Sequence, residues 1–321
     1  MKALLLVLVT GVAIVSAAEP TPAVYARVKA FVLSTSSAKV DNAVLKRDRI
    51  EMTFNGVFYP EQPVEGKVRG AVFVGSGTVH IDPPNIPYER DNLRRMLKAD
   101  RVESDFKTAV LRFTDDTWKE LGLHESASGS VPNEVALLAF GFTPHLLKES
   151  GLNVDARIAT SILNQESPGL FLAQFDKGKL GRFTVALDYR GGIPGTFGLN
   201  GGEQGIVFAH NEPAGNSIWL AFAALDSSGI KTRVTPEDSI LLRTKHYAIK
   251  ADLREARAGR MSVESTISAE VVRDGVQAIP FDLNDGLSEY SDQRLKKSLR
   301  CEWVKVAGVP VSFVQEPWES G

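Results

Sequence analysis

Period-two alternation constrains this chain more than any other feature. An apolar run from Leu170 to Phe175 leads into Asp176-Lys177-Gly178. Phe183, Val185, Leu187 and Tyr189 then alternate with Arg182, Thr184, Ala186 and Asp188. A pleated strand sends successive side chains to opposite faces, so this is the pattern of an antiparallel hairpin with a half-buried second strand. The same grammar recurs along the chain. Asn55-Gly56 separates the alternating run 49–54 from Val57-Phe58-Tyr59, and Gly75-Ser76-Gly77 divides the stretch 67–81. Both read as hairpin turns, because glycine and asparagine tolerate positive φ. A fourth pair is expected at 206–209 and 217–225, around Asn211-Glu212-Pro213-Ala214-Gly215.

Helical spacing is confined to short stretches. Leu93, Met96 and Leu97 share a face within 89–98; Val135, Leu138 and Ala139 do so within 132–140, and Ile158, Ile162 and Leu163 within 155–165. A short strand over 109–113 precedes Asp115, which is placed to cap a helix running to Leu121. The glycine-rich stretch 190–205 reads as a mobile surface loop. After a boundary between Thr235 and Lys245 the texture is almost wholly β. Tyr247, Ile249, Ala251 and Leu253 alternate, then Met261, Val263, Ser265, Ile267, Ala269 and Val271; later strands are expected at 303–306 and 309–314. The expected class is α+β, mainly antiparallel and sandwich-like with a few inserted helices, followed by a partial β-sandwich.

The first eighteen residues differ from the rest. Lys2 precedes an apolar run from Ala3 to Val15, and Ser16-Ala17-Ala18 offers small residues before Glu19-Pro20. The run is shorter than the roughly 20 residues that span a bilayer, and it has the three-part layout of a secretory signal cleaved near Ala18. The expected location is therefore exported, periplasmic or secreted, with no membrane span. Export permits disulfides, yet Cys301 is the single cysteine and has no partner in the chain. Stability must come from a core, which 321 residues at 43% hydrophobic content can supply. A net charge of −2 gives no global attraction to nucleic acid or an anionic surface.

Catalytic patterns are sparse. No two of His80, His124, His145, His210 and His246 stand at i, i+4, the spacing that lets two imidazoles share a metal on a helix. No Gly-x-Gly-x-x-Gly, Gly-Lys-Ser/Thr or Gly-x-Ser-x-Gly occurs, so phosphate loops and nucleophile elbows lack their signatures. Arg90, Arg94, Arg95, Lys98 and Arg101 are interleaved with Glu89, Asp91, Asp100 and Glu103, the layout of a solvated helix face. Arg300 and Glu302 beside Cys301 build no base-and-orienter set. Trp118, Trp219 and Trp303 suit a core as well as a groove. No residue is assigned a catalytic, cofactor-binding or metal role.

A family resemblance emerges toward the end of the chain. His246-Tyr247-Ala248-Ile249-Lys250-Ala251-Asp252-Leu253, the strand from Met261 and Ile279-Pro280-Phe281-Asp282-Leu283 resemble the opening strands of the zinc aminopeptidase family that includes aminopeptidase N. Val311-Ser312-Phe313-Val314-Gln315-Glu316 is similar to an early strand of some bacterial members. Residues 45–245, above all Gly70-Ala71-Val72-Phe73 and Phe171-Leu172-Ala173-Gln174-Phe175-Asp176, resemble the extra N-terminal region that exported members carry. The family binds zinc through His-Glu-x-x-His and holds the substrate amine with Gly-x-Met-Glu-Asn. Here the only His-Glu, His124-Glu125, is followed by Ser126-Ala127-Ser128, and no Met-Glu-Asn occurs.

The resemblance implies three parts: a signal peptide over 1–18, an accessory α+β domain over 19–244, and the opening strands of an aminopeptidase-type β domain over 245–321. It implies a non-catalytic region with no cofactor of its own, flanking a metal-dependent peptidase site in full-length relatives. A peptide or protein is the expected partner. The alternative is a self-contained exported binding or scaffold module without enzymatic activity.

Overall fold

The computed structural model describes residues 3–8, 21–122, 125–127, 129–150, 153–166, 169–189, 204–211, 215–223, 241–255, 257, 260–281 and 300–315. In chain order these form β1 (Ala3–Leu8), α1 (Thr21–Ala30), β2 (Ser36–Arg47), β3 (Ile50–Pro60), β4 (Gly70–Ile81), α2 (Pro87–Leu97), β5 (Val102–Phe113), α3 (Thr117–Glu120), β6 (Ser126–Ala127), α4 (Asn133–Ser150), α5 (Val154–Leu163), β7 (Leu170–Asp176), β8 (Phe183–Asp188), β9 (Gly205–Asn211) and β10 (Gly215–Phe222). β11 (Leu242–Asp252), β12 (Ser262–Val271), β13 (Cys301–Val306) and β14 (Val309–Val311) follow. The chain divides into two compact units. The larger takes Arg27–Ile162 and Glu166–Ser239; the smaller takes Met1–Ala26, Leu163–Gln165 and Ile240–Gly321. The expected α+β class with predominantly antiparallel strands is what the structure has.

The larger unit is built on one nine-stranded antiparallel sheet, ordered β10-β9-β8-β7-β5-β4-β3-β2-β6. One face carries a nearly unbroken line of aromatic rings. Phe54 and Phe58 meet Phe73; Phe54 and Phe73 meet Phe106; then Phe106–Phe175, Phe175–Phe183 and Phe183–Trp219 follow at centroid separations of 4.8–5.2 Å. Edge-on and tilted ring pairs at such distances add to the gain from burial alone. The small Ala209, paired with Phe183, leaves room for Trp219 to reach that ring from the next strand but one. The sheet curls strongly. Arg49, at the turn between β2 and β3, holds its guanidinium 5.7 Å from the Phe222 ring on β10.

Four sequence expectations are corrected here. β3 runs straight through Asn55-Gly56, and the hairpin turns at Asp48-Arg49, where Asp48 takes φ 53°. β4 likewise runs through Gly75-Ser76-Gly77. These glycines serve close approach, not turning: a Cβ on Gly56 would stand 2.4 Å from the Val74 carbonyl oxygen, and one on Gly75 2.3 Å from that of Asn55. The third correction concerns β8, which is buried on both faces, with Thr184 and Ala186 as enclosed as Phe183 and Val185. Finally, α4 continues past Phe140 to Ser150. The loop expected at 190–205 lies, apart from its last two residues, outside the described residues.

Helices finish the unit. Asn153 caps α5 by accepting a hydrogen bond from the Ala156 amide, and Val154, Ile158 and Ala159 turn inward. α4 lies against β4, β5 and β10. α2 begins with Pro87 and ends at Lys98 in the left-handed conformation. It seals the edge strand β10: Asn92 donates to the carbonyls of Ile218 and Trp219, and the Ala221 amide donates to Glu89.

The smaller unit is a five-stranded sheet ordered β11-β12-β1-β13-β14, in which β1 runs parallel to both neighbours and the remaining pairs are antiparallel. The apolar run near the start of the chain thus supplies the middle strand. Among the described residues no helix is long and apolar enough to cross a membrane.

Candidate functional site

The most unusual chemistry in the larger unit is a set of charges with almost no water. Arg112 on β5 is wholly buried, Glu61 just after β3 and Asp155 on α5 are each 1% exposed, and Arg69 ahead of β4 is 8% exposed. Arg112 Nη1 is 3.7 Å from Glu61 Oε1 and Nη2 is 3.4 Å from Asp155 Oδ1. The same Nη2 donates to the Val28 carbonyl of α1, and the Phe31 ring lies 4.2 Å from the guanidinium carbon. Arg69 donates to the Thr114 carbonyl. Glu61 accepts no full hydrogen bond at either carboxylate oxygen, although the Arg69 amide is near enough to favour its charged form. Arg112 Nε and Nη1 and Arg69 Nε are also without acceptors.

Burying a carboxylate disfavours its charge, and here that effect wins. Desolvation pushes Glu61 up to about 7, against the pull of Arg112 and Arg69 and with some help from Asp155. A carboxyl that titrates at neutrality has the basicity of a general base, but this one is closed to any substrate. What it can do is bind and release a proton.

Two further arginines are consumed by structure. Arg47 binds Asp115 at 2.8 Å, Glu120 at 2.7 Å and the Thr117 hydroxyl at 2.7 Å. Arg157 binds Asp188 at 2.8 Å and Glu166 at 2.7 Å. Burial works against each charge and the carboxylates outweigh it, so both guanidinium groups hold their protons more tightly than usual. Asp115, the expected helix cap, accepts from the Thr117 amide, although α3 is only four residues long.

The residues singled out from sequence are dispersed. His80 is on β4, His145 in α4, His210 on β9 and His246 on β11, while His124 lies outside the described residues. Among the described residues no three His, Cys, Asp or Glu side chains gather as a metal group. The donor set does not fit the zinc of the resembled family, since His124-Glu125 is followed by Ser126-Ala127-Ser128. Burial pushes the Cys301 thiol up, away from the reactive thiolate. Arg94 binds Asp100 and Asp91, Arg95 donates to Asn92, and Arg101 pairs with Asp82, so these arginines do face solvent, but Glu89 of the same stretch is buried, with its carboxylate on the Ala221 amide. Trp118 donates to Glu125, Trp219 is core, and Trp303 lies under the Lys305 ammonium.

The smaller unit carries a surface the sequence did not single out. Opposed residues on neighbouring strands share a face. Tyr247 opposes Ile267, Ala251 opposes Val263 and Leu242 opposes Val271; Val304 opposes Val311 and Val306 opposes Val309. The other face carries His246, Lys250, Glu264, Thr266 and Ser268, with Lys305 on β13. On the apolar side Tyr247 is 55%, Ile249 65% and Val309 63% exposed. Much of this apolar face is in water, although Ile267 within it is only 4% exposed.

Compared with family models, curated proteins and solved structures, the chain matches none.

Proposed function

We propose that this chain is the non-catalytic N-terminal region of an exported protein of the zinc aminopeptidase type. In that reading the larger unit is the accessory domain, and β11 to β14 are the opening strands of the β domain that follows it in the chain. The exposed apolar face of Tyr247, Ile249, Val309 and Val311 carries the reading. A sheet patterned this way is stable once a second layer covers it, as in a sandwich. The buried charges of the larger unit are turned on one another, which is the behaviour of a supporting domain. The segments 246–253 and 279–283 supply the family resemblance. Residues 19–321 are expected to bind no zinc and to leave amino-acid anilides intact. Stoichiometric zinc together with anilide hydrolysis sinks the proposal.

The continuous aromatic core of the larger unit favours a second reading, a self-contained exported binding or scaffold module. A single cooperative melt and a monodisperse species for residues 19–321 support that reading. Aggregation with strong binding of an apolar dye supports the first.

A further inference from the structure

Several contacts that fix residues 27–34 to the larger unit cluster around Glu61 and Arg112. The Ser34 amide donates to Pro60, the Gln62 amide to Val32, and Leu33 forms a bridge with Glu61. Arg27 donates to the Pro63 carbonyl and lies 3.4 Å from Glu65 at the rim. Arg112 holds the Val28 carbonyl from below. Phe31 covers Arg112 with φ 40°, a strained value for an aromatic residue, and packs where a Cβ on Gly70 would stand 2.6 Å from its ring. We propose that residues 27–34 form a proton-controlled latch, closed over the buried charges while Glu61 holds a proton and released when that proton is lost.

The physical basis is linkage. In the closed latch Glu61 faces Arg112 from β5, Asp155 from α5 and Arg69 from the segment before β4; Asp115 and Asp116 act on Arg69 from the turn beyond β5. With all four charges ionised the set is neutral, yet burial still holds the Glu61 carboxyl up at about 7. Opening returns it to water and to its ordinary value of 4.5. The closed state therefore binds the proton more tightly, and raising the pH favours opening. Between pH 5.5 and 7.5 the open-to-closed ratio rises about twenty-fold. Phe31 adds a bias in the same direction, because its left-handed backbone relaxes when the segment lifts.

The test is hydrogen exchange of the full chain at pH 5.5 and 7.5, corrected for the intrinsic pH dependence of exchange. The amides of Ser34 and Gln62, whose bonds join the latch to Pro60 and Val32, are expected to lose about twenty-fold in protection, and at both pH values to be less protected than those of Ala173 and Val185, inside β7 and β8, which open only with the whole unit. E61Q, neutral at both pH values, is expected to abolish the difference. Equal protection of Ser34 and Gln62 at the two pH values overturns the proposal, as does protection of these amides as high as that in β7 and β8, which reports exchange only through unfolding of the whole unit. Should E61Q not fold, the carboxyl carbon of Glu61 is titrated by NMR in the unsubstituted chain. A midpoint near 7 supports the latch, and one near 4.5 overturns it.

Discussion

The Phe31 ring sits 4.2 Å from the guanidinium carbon of Arg112, so the end of α1 is held by a cation that is itself wholly buried. That cation also faces Glu61 and Asp155, and removing it takes a positive charge from beside two carboxylates that have almost no water. Arg112→Met is therefore expected to cost about 3–5 kcal/mol in urea unfolding at pH 7. Adding Glu61→Gln and Asp155→Asn should recover most of the loss. A single substitution that costs under about 1 kcal/mol means the cluster is not dry.

The Glu61 carboxyl sets the sign of a pH effect on global stability. Its folded value is raised, so the folded chain keeps a proton that the unfolded chain releases. Stability then falls as pH rises from about 4.5 to about 7 and is level above that, with an upper bound of about 3 kcal/mol. Urea titrations at several pH values measure this slope, and E61Q should remove it. Stability that rises across the interval contradicts the assignment.

Two glycines hold β3 and β4 together by what they lack. Gly56→Ala or Gly75→Ala places a methyl against backbone of the facing strand and should cost about 1–3 kcal/mol. Gly141→Ala, inside α4 with open space around it, should instead gain about 0.5–1 kcal/mol from helix propensity. Thermal melts of the three variants compare the effects directly.

Ile249→Lys should leave the melting temperature of the chain nearly unchanged, because the side chain is already in water. It should lower binding of an apolar fluorescent dye and reduce self-association. A melt lowered by several degrees would mean that the face is already covered.

The start of the chain has two readings that exclude one another in the processed protein. If export removes residues 1–18, N-terminal sequencing begins at Glu19 and β1 is lost from between β12 and β13. If Met1 persists after passage through an export pathway, the apolar run is a structural strand.

Much of the strand content was legible in the alternation, and turn positions were not. Asn55-Gly56 is the sequence of a tight turn, but glycine also serves where two backbones nearly touch, and only the register with Gly75 distinguishes the uses. A long strand with central glycines looks, one segment at a time, like two short ones. The candidate site was hidden for a related reason. Arg112 sits between Leu111 and Phe113, and alternation sends it to the opposite face, which reads as solvent. Only the packing of α1 and α5 on that face makes Arg112 a core residue. Glu61, Arg69 and Asp155 carry no spacing that relates them, since the first two stand at opposite ends of the segment between β3 and β4 and the third is on α5. The apolar face of the smaller unit was present in the alternation of 247–253, but whether such a face is covered is a property of the assembled layers.

The side chains of Glu89 and Asn92 occupy backbone groups along the outer margin of β10. A strand whose margin is already spoken for is a poor template for a stray segment from another molecule. In a crowded compartment this margin of the large sheet works as a stop, so its strand order cannot be extended there by copying.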